Sequence, residues 1–369
     1  MKAMFRRLTD QTLGRGDSAI TVPVMDGPLR PNRVFDEAPV IFCAPAVDNL
    51  TKADEGFYCT SGPSLYKISG SGNSVQAEVL ERFASDLSCL AADGKGGLAI
   101  GLDGSGVLIR GGAHHGLHVA NELQCPTACL FLDPDTLLVT NGSAENTSRR
   151  WKHDLMGVGR SGSVWRFDLS TQKRTCLLTD LGFPYGLAQF SRSTILISEA
   201  WRHRVILLDL ARPLFSEVML GDLPGYPSRI AAAEEGGYWL SIFAARTQLV
   251  EFVLRERRYR ERMIREIDPE FWVAPALSSG LSFLEPLQGG GVKQMGILKP
   301  WAPPRSYGLV VKCDASFLMQ YSFHSRSDGS RHGITSVCES GGELLVSARG
   351  AGSIMRISSD RLASVGARQ

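Results

Sequence analysis

The sequence predicts an all-β fold, a six-bladed β-propeller with a helical cap insertion. Three observations predict it: one recurring phrase, glycine turns placed inside that phrase, and a repeat length that fills the chain. The phrase is an apolar run, an acidic–Gly turn, a second apolar run, and a third run ending aliphatic–basic–aliphatic. Copies are DNLTKADEGFYCTSGPSLYKIS from Asp48, LSCLAADGKGGLAIGLDGSGVLIRG from Leu87, YPSRIAAAEEGGYWLSIFAARTQLVEFV from Tyr226 and HGITSVCESGGELLVSARGAGSIMRIS from His332. Two more, from Pro126 and Pro184, lack the Gly turn but keep the strands. ADGKGG, EEGG and ESGG supply the positive-φ glycines that tight hairpins require. The flanking runs are short, β-rich and bounded by turns. Setting aside about 45 leading residues and an insertion of about 60, six units of roughly 44 match four-stranded propeller blades. A pair of β-sandwiches would not repeat one phrase six times.

Taken in order, residues 1–44 form an N-terminal arm whose VIFC (Val40 to Cys43) is expected to close the ring against the last blade. Residues 45–360 form the propeller and 361–369 a tail. The period breaks from about 246 to 305. There LVEFVLRERRYRERMIREI predicts one amphipathic helix, with six arginines between Arg255 and Arg265. Its Arg–Glu neighbours at i,i+3 and i,i+4 offset charge, as on a solvated helix face. Leu249, Phe252, Val253 and Met263 are expected to pack on the propeller.

Composition narrows the function. Of 369 residues, 40 are Lys or Arg and 38 Asp or Glu, a formal charge of +2, and 43% are hydrophobic. That balance belongs to a globular chain and excludes a charged disordered tail protein. It offers no excess of cations for releasing phosphate counterions, so no nucleic-acid partner is expected. No stretch approaches the roughly 20 apolar residues of a membrane span, and no membrane partner is expected. The N-terminal text lacks an apolar core, so no secretory signal is expected. A cytoplasmic protein follows, with its eight cysteines read as reduced thiols.

Most literal motif matches fail on context. GVGRSG (Gly157 to Gly162) fits a dinucleotide fingerprint but is followed by a strand where a helix is needed. SLYK (Ser64 to Lys67) sits inside a strand with Ser64 and Lys67 on opposite faces. Cys125 and Cys129 lack a second ligand pair. His114 and His118 would share a strand face, but in outer strands away from the axis.

In a propeller, the innermost strand of each blade and the loop leaving the next strand line the axial channel. Polar residues there are site candidates. Those positions hold Asp48, Asn49, Asp103, Asn141, Tyr185, Glu199, Ser228, Arg229 and His332. Asp48, Asn141 and Glu199 offer hard oxygens suited to Ca²⁺.

The text from Leu137 to Phe243 resembles the strictosidine synthase-like family. The resemblance is carried by LLVTN, GRSGSVWRFD, GFPYGLAQF, ILISEAWRHRVILLDL and GDLPGYPSRI. It extends weakly to most of residues 48–358. That family sits in a six-bladed group with the gluconolactonase/senescence marker proteins and paraoxonases. The resemblance implies a metal set made by an acidic residue in the first blade, an Asn in the third, an Asn in an FPNG-like turn and an Asp in a PDNI-like turn. Asp48 and Asn141 would fill the first two places, but Tyr185 and Ser228 stand at the others, with Arg229 following. An intact calcium site is therefore not expected, and no cofactor beyond weak Ca²⁺. Thr335 stands where the strictosidine synthases place a glutamate, and Leu87 and Asp103 where paraoxonases place a His pair.

The expectation from these residues is a hydrolase of lactone or ester type with a remodelled channel site. His332 would be the general base, Tyr185 and Arg229 the oxyanion stabilisers, and Glu199 an orienting carboxylate. Asp48, Asn49, Asp103, Asn141 and Ser228 would bind a small-molecule ligand in the central channel. The alternative is a non-catalytic propeller binding a small molecule or partner protein. A third reading is an amine–aldehyde condensing enzyme.

Overall fold

Six four-stranded antiparallel sheets are arranged as the blades of a propeller. This computed structural model describes residues 21–52, 56–70, 75–213, 215–282, 284–286, 293–294, 297–298, 304–358 and 360–362. The first 20 residues of the N-terminal arm and positions 363–369 of the tail lie outside them. The inner strands are Asp48–Lys52, Leu87–Ala92, Pro126–Asp133, Pro184–Gln189, Gly225–Ala232 and Ile334–Ser340, one for each blade in chain order. Val40–Cys43 pairs antiparallel with Ser353–Ile357 and completes the sixth blade from the opposite end of the chain. The first and last strands of the propeller thereby share one sheet, which leaves no open edge at the join.

Near-continuous apolar text forms these strands because most are buried on both faces between neighbouring blades. Thr194–Glu199 is buried over its last five residues, and Tyr238–Ala245 throughout. Outermost strands such as Gln76–Arg82 are exposed along most of their length.

The inner strands share a second feature, and it builds the site. In every blade the pairing of the first strand with the second slips by one residue near the start of the inner strand. Ser88, Thr127, Tyr185 and Thr335 are each skipped between paired neighbours. One extra residue also lies between Asp48 and Thr51, and one between Pro227 and Ile230. A bulge of this kind takes a residue out of the ladder and re-aims its side chain and carbonyl. With bulges at one level, all six inner strands bring a side chain or a carbonyl toward the axis.

The insertion leaves blade five after Ala245, at the end where the inner strands begin. It carries two helices where the sequence predicts one, Gln248–Arg255 and Arg257–Glu266. Glu256, with ψ 75°, leaves the helical region and separates them. Phe252, expected on the packed face, is exposed, while Val250, Glu251 and Val253 are buried. The cause is polar: Glu251 bonds to Arg246 at 3.2 Å and lies 3.4 Å from His203, and this anchor sets the rotation of the helix. Met263 and Trp272 then seat the cap on Phe183, Tyr226 and Phe243. Arg257 and Arg262 face solvent, each 2.7 Å from a glutamate four residues on.

Candidate functional site

The six bulges converge on Arg229. Its Nη1 donates to Asp48 Oδ1 at 3.0 Å and to the Thr335 carbonyl at 3.4 Å. Its Nη2 donates to the carbonyls of Ser88 at 2.7 Å and Thr127 at 3.3 Å. The guanidinium carbon stands 5.1 Å from the centre of the Tyr185 ring. One side chain from blade five therefore touches the other five blades. The bulges free carbonyls that would otherwise be orphaned in a buried channel, and the planar fork of five donors satisfies them together.

Asp48 is the counter-charge. It is buried, and its Oδ1 also accepts from the Thr335 hydroxyl at 2.6 Å and from the Asn49 N–H at 2.7 Å. Arg349 Nη1 lies 3.5 Å from Oδ2. Burial alone would raise the Asp48 carboxyl, but Arg229 and Arg349 with these hydrogen bonds hold it below the usual carboxylate range. Burial opposes the Arg229 charge as well, and Asp48, Tyr185 and Cys89 together more than offset it. Arg349 also lies close enough to Tyr185 for the two to interact electrostatically, and it keeps 21% of its side chain accessible. Burial raises the Tyr185 phenol, so it stands as a neutral donor. Two guanidinium groups against one carboxylate leave the cluster with an excess of positive charge.

The remaining sequence candidates divide. Asn49 adopts φ 60° and donates to Thr60 Oγ1 at 2.7 Å and the Leu87 carbonyl at 3.2 Å, while its Oδ1 is buried without a partner. Asn141 Oδ1 accepts from the Cys125 N–H at 2.8 Å, and Ser228 Oγ donates to the Ser241 carbonyl at 3.1 Å. Both serve the backbone around the channel. Asp103 accepts from the Ser148 N–H at 2.6 Å and fixes the turn before the helix Trp151–Gly157.

Two proposed catalytic residues are not brought to the cluster. Glu199 is fully buried, and its oxygens are taken by Arg202 at 2.7 Å, Arg204 at 2.6 Å and the Gly182 N–H at 2.7 Å. It locks the corner between blades three and four instead of facing a ligand. His332 turns toward the returning insertion, with Nδ1 2.7 Å from Ser306 Oγ and Nε2 2.7 Å from the Arg326 carbonyl. Burial lowers its pKa. Nor do His114 and His118 share a strand: only His118 is in one, and His114 bonds Asp135 at 2.7 Å. Among the described residues no group of three or more His, Cys, Asp or Glu is placed to hold a metal ion.

Arg349 was missed by the sequence reading, although the same rule finds it. It follows the second strand of blade six, the counterpart of Asp103, Asn141 and Glu199 in blades two to four. The aliphatic–basic repeat hid it among ordinary arginines.

No protein-family model matches the chain. Among curated proteins, strictosidine synthase-like protein 10 of Arabidopsis thaliana is 26% identical over 133 residues, 36% of either chain. Strictosidine synthase-like protein 13 of the same plant is 34% identical over 121 residues, 30% of either chain. An adipocyte plasma membrane-associated protein of Danio rerio is 25% identical over 117 residues, 31% of this chain and 28% of that one. These matches span about a third of the relatives' own lengths. Among solved structures, a candidate gluconolactonase aligns over 87% of this chain and 91% of its own, with TM-score 0.53 and 11% identity. A luciferin-regenerating enzyme aligns over 88% and 94%, with TM-score 0.51 and 11% identity. No described helix is long and apolar enough to cross a membrane. By its matching sequence and by its fold, the chain is a six-bladed propeller related to the strictosidine synthase-like proteins.

Proposed function

We propose that this propeller binds a small molecule through an anionic or strongly polarised oxygen at Arg349 and Tyr185, with the Arg229 guanidinium serving where a metal ion would otherwise sit. The observation that carries this reading is the four-oxygen set around Arg229. The side-chain oxygen of Asp48 and the carbonyls of Ser88, Thr127 and Thr335 converge on a fixed cation. A second cation among those oxygens would meet like charge at short range. Arg229 is held by these acceptors, so the accessible part of Arg349 and the Tyr185 hydroxyl are what a ligand would meet. A reduced intracellular setting suits the eight free cysteines.

A hydrolase of lactone or ester type is the second reading. It is favoured by the pairing of a neutral phenol with a guanidinium, donors suited to a developing oxyanion. The channel cluster has no free base to complete it, since Asp48 is ionised and saturated and His332 lies elsewhere.

The test is a titration of small carboxylates, lactones and aryl esters against the wild type and Arg349→Met. Specific binding weakened at least tenfold by Arg349→Met, at an unchanged melting temperature, supports the binding reading. Turnover lost on both Tyr185→Phe and Arg349→Met supports the hydrolase. Ligand binding indifferent to Arg349 overturns both.

A further inference from the structure

A cavity lies below Arg229. It has a volume of about 260 Å³, and its walls come from the later halves of the inner strands. It therefore opens on the propeller face opposite the cap. Arg229 is in its roof, Lys52 and Glu339 are at its rim, and Cys129 and Cys338 are in its walls. Behind Cys129 stands Cys89, on the neighbouring inner strand, with the two Sγ atoms 3.4 Å apart. Room for the second sulfur is made by Gly101. A Cβ at that position would fall 2.4 Å from Cys89 Sγ.

We propose that Cys89 and Cys129 form a dithiol that hydroperoxides oxidise to a disulfide through the lower channel pocket. Three features separate this pair from the other buried thiols. The sulfurs are already in contact, and a disulfide bond of about 2.05 Å needs them to close by a little over 1 Å. One of them lines a pocket that a molecule the size of hydrogen peroxide enters. A guanidinium fixed by four acceptors stands over the pair and favours thiolate over thiol.

The charge is distributed unequally. The Cys129 contact, Arg229, Ser88 and the Gly101 N–H together lower the Cys89 thiol against the cost of burial, while Cys129 is raised by its neighbour and by burial. The resting thiolate is thus on Cys89, and passage of a proton from Cys129 to Cys89 along the S–H···S contact, against that order, transiently places the nucleophilic thiolate on the pocket wall. Cys129 Sγ then attacks one peroxide oxygen and the O–O bond breaks. The second oxygen leaves as hydroxide and takes the proton of the buried Cys89 to become water, and Cys129 becomes a sulfenic acid. The Cys89 thiolate so formed attacks Cys129 Sγ. The S–O bond breaks, and the departing hydroxide is protonated to a second water. Two thiols and one peroxide give one disulfide and two waters. The bond joins blades two and three directly beneath Arg229.

The experiment uses the full chain with the exposed Cys43 and Cys176 changed to Ser, so that bridges between copies do not form. Peroxide treatment at neutral pH is followed by non-reducing peptide mapping. The expected result is a Cys89–Cys129 linked peptide that dithiothreitol releases. In Cys89→Ser the link is absent, and Cys129 is trapped as a sulfenic acid by dimedone. Cys59, Cys125 and Cys313, buried away from the pocket, stay unmodified. Oxidation that leaves Cys129 untouched, that links Cys129 to Cys338, or that proceeds at equal rates on all buried thiols overturns the proposal. Mapping of the parent chain decides the matter even where a serine variant folds poorly.

Discussion

Arg229 Nη1 and Asp48 Oδ1 lie 3.0 Å apart across the channel axis, joining the fifth blade to the first inside the ring. Both partners are largely buried, and each is saturated by further hydrogen bonds from or to other blades. Paired charges of this kind contribute little net stability, but removing one partner leaves the other uncompensated.

Arg229→Met should therefore destabilise the fold by about 3–5 kcal/mol, because it takes from Asp48 the nearer of its two guanidinium partners and strands three carbonyls at once. Asp48→Asn added to Arg229→Met should recover part of that loss, which urea melts of the single and double variants measure. Equal loss in both would mean that packing over Tyr185, not charge, is what Arg229 provides.

Calcium should leave stability unchanged. A site with Kd a hundredfold below the added concentration would raise stability by about 2.7 kcal/mol. Thermal melts in millimolar Ca²⁺ and in EDTA should superimpose, since Arg229 already holds the oxygens. A marked fall in melting temperature with EDTA would show that the guanidinium does not stand in for a metal.

His324 sets an acid limit. It is fully buried, with Nδ1 3.0 Å from the Tyr307 hydroxyl and Nε2 2.7 Å from Ser322 Oγ. Burial pushes its pKa down to about 3. The unfolded chain therefore takes up the proton first. This contribution is fully present above about pH 6.5 and declines as pH falls toward 3, by up to about 1.4 kcal/mol per pH unit. His324→Gln should flatten that part of the stability–pH profile, as denaturant melts between pH 4 and 7 would show.

Thr247 caps the first insertion helix, its hydroxyl accepting from the Val250 N–H at 3.3 Å. Thr247→Ala should cost about 1 kcal/mol, and Thr247→Asp should restore most of it. Hydrogen exchange should speed up first at Val250 and Glu251. Uniform acceleration across the blades would indicate that the cap does not open separately.

The recurring phrase determined the blades because a strand's burial and its turns are local properties. An apolar run between Gly turns has one way to hide both faces, and six such runs close a ring. The place of Tyr185 and Arg229 was legible in the same way, since the motif register carried them to the channel. What the insertion does was only half legible: its amphipathic pattern is local, but the buried Glu251–Arg246 pair that rotates its first helix joins residues through the fold.

The partners of each polar side chain were not legible at all. Glu199 and Arg229 occupy comparable-looking positions in the text, yet one is consumed by Arg202 and Arg204 and the other spans the axis. His332 lies two residues ahead of an inner strand and still turns away, because Ser306 and the Arg326 carbonyl reach it first. Arg349 and Cys89 meet their partners only when separate blades are set side by side. A side chain's reach is a few ångströms, and which groups fall within it is decided by ring closure and by the bulge in each inner strand, which no single repeat encodes.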